Sequence, residues 1–325
     1  MLSGKKIAFV NSWANKYWGI YTRWFGERNE IAWCLPTCPD DLRGAQEWAD
    51  IVWCLFANEP LVALSNAESP SSGLIASVRV YEMMPGETGF FPATCWKNVR
   101  GLLYESPHVQ SLTETVWGEI LGDVPRRMIW DCVWLDEYPF YNKGVGHNLA
   151  YIGHINFKKG WPLLLQALRH AVNIDSRYRL FVAGDFQSFR HEAYIKHMVH
   201  AMGLSEHIQF DGWVDDIQPW LIDKDYLISA SEWEGCPKGI IEAMACGVVP
   251  LIHNFVGADG VFPTTLLWDT LDEFGGMLGR KDAYVAQFCR DYVADKFNAE
   301  KQMPLMDEFI EEALRGRSGD DLPSE

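Results

Sequence analysis

Two carboxylates eight positions apart, Glu234 and Glu242, stand in the stretch S-A-S-E-W-E-G-C-P-K-G-I-I-E-A-M-A-C-G-V-V from Ser229 to Val249. The first falls just ahead of a helical pattern and the second inside it. Cys236-Pro237 reads as the helix start, because proline is pre-set for the first helical position and its missing N–H costs nothing there. Gly247 reads as the left-handed stop after the helix. An apolar run, Tyr226-Leu227-Ile228, precedes the motif, and Val248-Val249-Pro250-Leu251-Ile252 follows it. Strand, tight loop, short helix, strand is the unit that presents a helix N-terminus to an anionic ligand. Nucleotide or sugar-phosphate binding is the chemistry this favours. A carboxylate pair could also serve glycoside hydrolysis, where two acids flank the scissile bond. Here the second acid sits over a turn further along, about 8 Å at ~1.5 Å per residue, and the glycine-lysine segment Gly153 to Gly160 would be idle in a hydrolase, which disfavours hydrolysis. A plain alternative is a surface pair between Lys238 and Glu242, worth a few tenths of a kcal/mol. It does not explain why glutamate, glycine, proline and a small-residue helix fall together.

Short β-rich runs alternate with helical patterns along the whole chain, the signature of α/β units with parallel sheets. In the first half the expected strands lie near Ile7 to Val10, Ile31 to Leu35, Ile51 to Phe56, Val78 to Tyr81, Leu102 to Glu105 and Met128 to Val133. The turn-rich text E-Y-P-F-Y-N-K-G-V-G-H, Glu137 to His147, reads as a linker. A second series starts with L-A-Y-I-G-H at Leu149 and continues through Leu180 to Ala183, Ile208 to Phe210, Tyr226 to Ile228 and Val249 to Ile252. Helices are expected over Trp161 to Ala171, His191 to Met202, Tyr284 to Phe297 and Pro304 to Leu314, with a frayed polar tail. The expected division is 1–146, 147–303 and a terminal helix with tail, 304–325.

Bulk composition narrows the class. A chain of 325 residues, 48% hydrophobic and 22% charged, is globular and suits two domains. It has no run of about eighteen apolar residues, so no spanning helix is expected. The start M-L-S-G-K-K-I-A-F-V lacks the apolar core of a secretion signal. Eight cysteines show no metal-ligand spacing, Cys34 and Cys38 being the only close pair; buried thiols in a reducing compartment are expected, and cytoplasm is the default. A net charge of −16 argues against nucleic-acid or anionic-membrane partners, which bind through Lys and Arg. Arg126-Arg127 is a local basic pair.

From Tyr151 to about Gly260 the chain resembles the C-terminal domain of retaining GT-B glycosyltransferases, the group that includes phosphatidylinositol mannosyltransferases and sucrose or glycogen synthases. Y-I-G-H-I-N-F-K-K-G-W is similar to the family's glycine-arginine segment and following lysine-glycine. R-L-F-V-A-G-D resembles the next strand and its glycine turn, and I-Q-F-D-G-W-V-D-D the strand and glycine before the base-binding loop. S-E-W-E-G-C-P-K-G-I-I-E-A-M-A-C-G matches the family's E-x7-E motif in spacing and flanks. The resemblance implies an α/β GT-B fold, two Rossmann-like domains with parallel sheets facing across a cleft. It implies a UDP- or GDP-sugar donor bound by the second domain, a hydroxyl-bearing acceptor bound by the first, a terminal helix from about Pro304 that crosses back to the first domain, no permanent cofactor and no metal.

Retaining transfer needs a held diphosphate, a stabilised oxocarbenium-like sugar and an acceptor hydroxyl on the same face. By resemblance Lys159 meets the charge of the leaving diphosphate, Glu234 contacts donor-sugar hydroxyls near the reacting carbon, and Glu242 accepts from the ribose hydroxyls. The implied donor-binding set is completed by Gly153, His154, Val214, Cys236, Pro237, Lys238 and Gly239. The implied mechanism is front-face, the donor phosphate taking the acceptor proton. His154 departs from the pattern: the family carries arginine there, a permanent fork for phosphate, where histidine offers one titrating charge. In the first half, N-S-W-A-N-K-Y-W-G replaces a glycine-rich loop and leaves only Gly19; Asn58, Glu82 and Glu87 are further acceptor-side candidates. Among fifteen tryptophans, Trp13 and Trp18 near the first strand end could stack on a sugar. Two other readings stay open: an inactive nucleotide-sugar-binding protein, motivated by His154 and the altered first loop, and a GT-B sugar-nucleotide epimerase. A DNA-modifying transferase is disfavoured by the acidic balance.

Overall fold

The computed structural model describes residues 1–11, 18–141, 146–279 and 283–315. The chain divides into two units, Met1–Asp131 with Ala299–Glu325, and Cys132–Asn298. The first holds β1 (Lys6–Val10), β2 (Glu30–Cys34), β3 (Ile51–Cys54), β4 (Leu74–Val78), β5 (Gly101–Tyr104) and β6 (Arg126–Met128). The second holds β7 (Asn148–Ile152), β8 (Arg179–Ala183), β9 (Ile208–Gly212), β10 (Tyr226–Ser229), β11 (Val249–His253) and β12 (Leu267–Trp268). Each unit forms a six-stranded sheet, ordered β2-β1-β3-β4-β5-β6 and β12-β11-β10-β7-β8-β9. Every pairing is parallel.

Parallel sheets with helices between their strands are covered on both faces, so central strands read as continuous apolar runs. Ile51-Val52-Trp53-Cys54 and Tyr226-Leu227-Ile228-Ser229 are buried at every position. The same logic displaces one expected strand. The V-R-V-Y alternation near Val78 to Tyr81 lies at and beyond the strand end; β4 is the buried run Leu74-Ile75-Ala76-Ser77-Val78. The last strand of the first half likewise sits earlier, at Arg126–Met128, on the edge of its sheet.

The helix Ala299–Arg315 belongs to the first unit and contains Pro304 in its interior, not at its first turn. A proline there removes one backbone hydrogen bond, and the buried face, Met303, Met306, Phe309, Ile310 and Ala313, holds the helix regardless. Asp307 is fully buried on that face. Its carboxylate accepts from Leu2 N at 2.6 Å, Trp24 Nε1 at 3.3 Å and Arg28 Nη2 at 3.2 Å. One side chain thus ties the chain start and the helix Trp18–Phe25 to the last helix. Asp307→Ala strands a part-buried guanidinium and a buried N–H, so a loss of about 3 kcal/mol is expected. Tryptophan fluorescence during urea unfolding should show the midpoint of the first unit falling.

Candidate donor site in the second unit

The site is built at the carboxyl ends of β7 and β10, which are hydrogen-bonded neighbours. Open parallel sheets bind their ligands at such strand ends. Beyond β7 the chain runs through Gly153 and His154 into a 3-10 turn, Phe157–Lys159, then Gly160 and the helix Trp161–Ile174. Beyond β10 it forms the loop carrying Ser231 and Glu234. The two loops are joined by Glu232 N donating to Lys158 O at 2.9 Å. This brings the Lys159 ammonium onto Glu234 Oε1, which also accepts from Ser231 Oγ at 2.7 Å. Glu234 is 7% exposed. Burial pushes its carboxyl pKa up, but the charges of Lys159 and Lys158 and the two hydrogen bonds outweigh it, and the group lies below the usual carboxylate range.

Glu242 sits in the helix Lys238–Ala245. Pro237 is the residue before that helix, with φ −71 and ψ 99, not its first helical residue; its extended ψ leaves Lys238 to begin the turn. Lys238 is buried rather than splayed on the surface, and Cys236 is buried beside it. A side chain at Gly239 would press on Ile152, its Cβ 3.0 Å from Ile152 Cγ2, so glycine lets the helix start lie against the end of β7. Glu242 Oε1 accepts from the hydroxyl of Tyr138 at 3.2 Å. The helix ends at Cys246, followed by Gly247 in the left-handed region.

His154 is exposed, and its ring stacks on Trp213 with centroids 5.0 Å apart and planes at 26°. Trp213 follows β9, is 53% exposed, and donates from Nε1 to Asp215 Oδ1 at 3.1 Å. Val214 lies between them in sequence and is half-buried. Tyr151 Oη donates to His154 O at 2.8 Å, fixing the backbone where His154 leaves the sheet. Sequence reasoning named neither Trp213, Ser231 nor Tyr138 as site residues. The aromatic directly after the strand-ending Gly212 was the available signal for Trp213.

The acceptor-side candidates belong to the first unit. Gly19 is exposed, second in its helix. Asn58 is buried at the start of the helix Glu59–Ser65. Glu82 is buried, its carboxylate accepting from Arg79 N at 3.2 Å and its carbonyl from Thr88 Oγ1 at 2.7 Å, so it braces its own loop. Glu87 is exposed. Trp18 packs on Trp33 at 5.3 Å; Trp13 lies outside the described residues. Arg79 in the same unit is ion-paired with Glu105 and, at 3.1 Å, Asp131.

Residues 146–268 match the family model described as Glycosyl transferases group 1. That span includes Gly153, His154, Lys159, Val214, Glu234 and Glu242. Sucrose-phosphate synthase from Thermosynechococcus elongatus is similar over 95% of this chain and 98% of its own, at 12% identity and a TM-score of 0.77. HepE from Anabaena, solved with UDP-glucose, is similar over 94% of this chain and 99% of its own, at 13% identity and a TM-score of 0.75. The fold is GT-B. A mutant of S. aureus TarM, solved with Fondaparinux, alpha-GlcNAc-glycerol and UDP, matches 80% of this chain at 13% identity and a TM-score of 0.65. The chain covers 55% of TarM. No curated protein matches. Among the described residues, no helix of this GT-B chain is long and apolar enough to cross a membrane.

Proposed function

We propose that the protein is a retaining glycosyltransferase that moves a sugar from a UDP- or GDP-sugar to an acceptor hydroxyl, working without a metal in the cytoplasm. The second domain holds the donor and the first the acceptor. The observation that carries this reading is the pairing of half-buried Lys159 with buried Glu234 at the ends of β7 and β10, with Glu242 in the helix that follows. Lys159 supplies positive charge where a diphosphate becomes more anionic as it leaves. Glu234, held ionised, faces the donor-sugar hydroxyls, and Glu242 accepts from the ribose. The bond from the anomeric carbon to the phosphate oxygen breaks, the bond to the acceptor oxygen forms on the same face, and the acceptor proton passes to the departing phosphate. The UDP and UDP-glucose bound by HepE support a UDP-sugar as the first donor to try.

The test is incubation of purified protein with a panel of UDP- and GDP-sugars and simple acceptor alcohols, with the product's anomeric configuration read by NMR. Retention of the donor's configuration is expected; inversion would refute the mechanism. His154, standing where the family carries arginine, favours a second reading, a nucleotide-sugar-binding protein without turnover. Donor binding with no nucleoside diphosphate released would select it.

A further inference from the structure

The segment Leu135 to Tyr141 is wrapped on the last turn of the helix that carries Glu242. Arg290, on the helix Ala283–Lys296, donates from Nη1 to the carbonyls of Tyr138 and Ala245 and from Nη2 to Leu135 O at 3.0 Å. Tyr141 N donates to Cys246 O at 3.0 Å. A Cβ on Gly247 would lie 2.8 Å from Phe140 Cε2, so the bare glycine admits that ring. These contacts seat Tyr138, 7% exposed, with its hydroxyl on Glu242 Oε1. Burial, then the neighbouring Glu242 charge, push the Tyr138 hydroxyl far above the usual tyrosine range, so it stays protonated and donates.

A glutamate has three side-chain torsions, and a ligand that needs it in one orientation must otherwise bear the entropy of fixing it. A carboxylate has about four acceptor positions. One of them, occupied by a buried phenol, orients the rest. We propose that Tyr138 is a positioning residue that fixes the orientation of the Glu242 carboxylate toward the ribose hydroxyls of the nucleotide, and so makes the site discriminate ribonucleotides from deoxyribonucleotides. The inference rests on the donor-site reading above. At 3.2 Å the bond is long for O–H···O, so its loss should cost several-fold rather than orders of magnitude.

The experiment is calorimetric titration of the full chain with UDP, GDP and the 2′-deoxy form of each. The parent should bind the better ribonucleotide about tenfold more tightly than its deoxy form, as one hydrogen bond to a charged group allows. Tyr138→Phe should lower that ratio to about threefold. Arg290→Lys, which loosens the backbone under an intact phenol, should lower it in the same direction. In a Glu242→Gln background, adding Tyr138→Phe should leave the ratio unchanged, because the tyrosine acts through Glu242. A merely structural role would weaken ribo and deoxy ligands alike; an unaltered ratio in Tyr138→Phe, with the parent still discriminating, overturns the assignment alone. A parent that binds neither UDP nor GDP overturns the donor-site reading and this assignment with it.

Discussion

Lys159→Met is expected to reduce turnover about a thousandfold, the scale of losing one preorganised electrostatic partner of a transition state. The substitution keeps an apolar stem of similar length and removes the ammonium. Two consequences separate it from a simple binding defect. kcat should fall with KM changed much less, because the charge on the leaving diphosphate grows during reaction and not on binding. Stability should fall as well, by about 3 kcal/mol, since Glu234 would be left buried without its cation. The pH dependence gives this a sign. In the parent the Glu234 carboxyl is held below its ordinary value. Its contribution is therefore present above about pH 4.3, the unfolded value, and disappears as pH drops through the lower native value. In the variant, burial is the remaining main influence and pushes the carboxyl up. The unfolded chain then sheds its proton first, and the variant loses stability as pH rises through about 4.3. The stability gap between parent and variant should be widest near neutrality and narrow toward about pH 4 in urea unfolding. A gap that stays constant across that range would show that Glu234 does not depend on Lys159.

Gly160→Ala is expected to be more damaging to the fold than any other single methyl near the site. Gly160 has φ 60, and an added Cβ would lie 1.8 Å from Ala230 O and 2.8 Å from Ala230 C. The left-handed backbone alone costs about 1 kcal/mol for alanine. The clash is with backbone at the end of a central strand, which cannot rotate aside, so a total of about 4 kcal/mol or more is expected. Gly86→Ala is the control: its φ is 78, but nothing stands within 4 Å of the added methyl. That variant should lose only the ~1 kcal/mol of conformation. The displacement also has a functional reading. Ala230 precedes Ser231 and Glu234, so any fraction of Gly160→Ala that folds should have Lys159 and Glu234 pulled apart. Urea midpoints of the two variants, compared with the parent, decide the matter; equal midpoints would contradict the packing.

The sequence disclosed what is local. Glycine, proline and the two glutamates around residue 240 are fixed by the geometry of one strand-loop-helix unit, and apolar runs such as Tyr226-Leu227-Ile228 announce doubly covered strands. Contacts made across the sheet were not visible. Ser231 on Glu234 and Trp213 on His154 depend on which strands are neighbours and at what level they end. Tyr138 lies in turn-rich text that reads as spare linker, and only the wrapping of that segment around the helix end puts its hydroxyl on Glu242. β12 is two residues long, too short to carry a period. The strand expected near Val78 to Tyr81 lies earlier, because β4 is the fully buried run that ends at Val78.

The central claim is that Glu242, with the Lys159–Glu234 pair, grips a nucleotide sugar. Calorimetric titration of the parent and of Glu242→Ala with the same panel of UDP- and GDP-sugars tests it most directly. At least one of them should bind the parent, and the variant should bind it about a hundredfold more weakly, the loss of hydrogen bonds from ribose to a charged group. Equal affinity of the two proteins for every nucleotide sugar that the parent binds, or a parent that binds none, would contradict it.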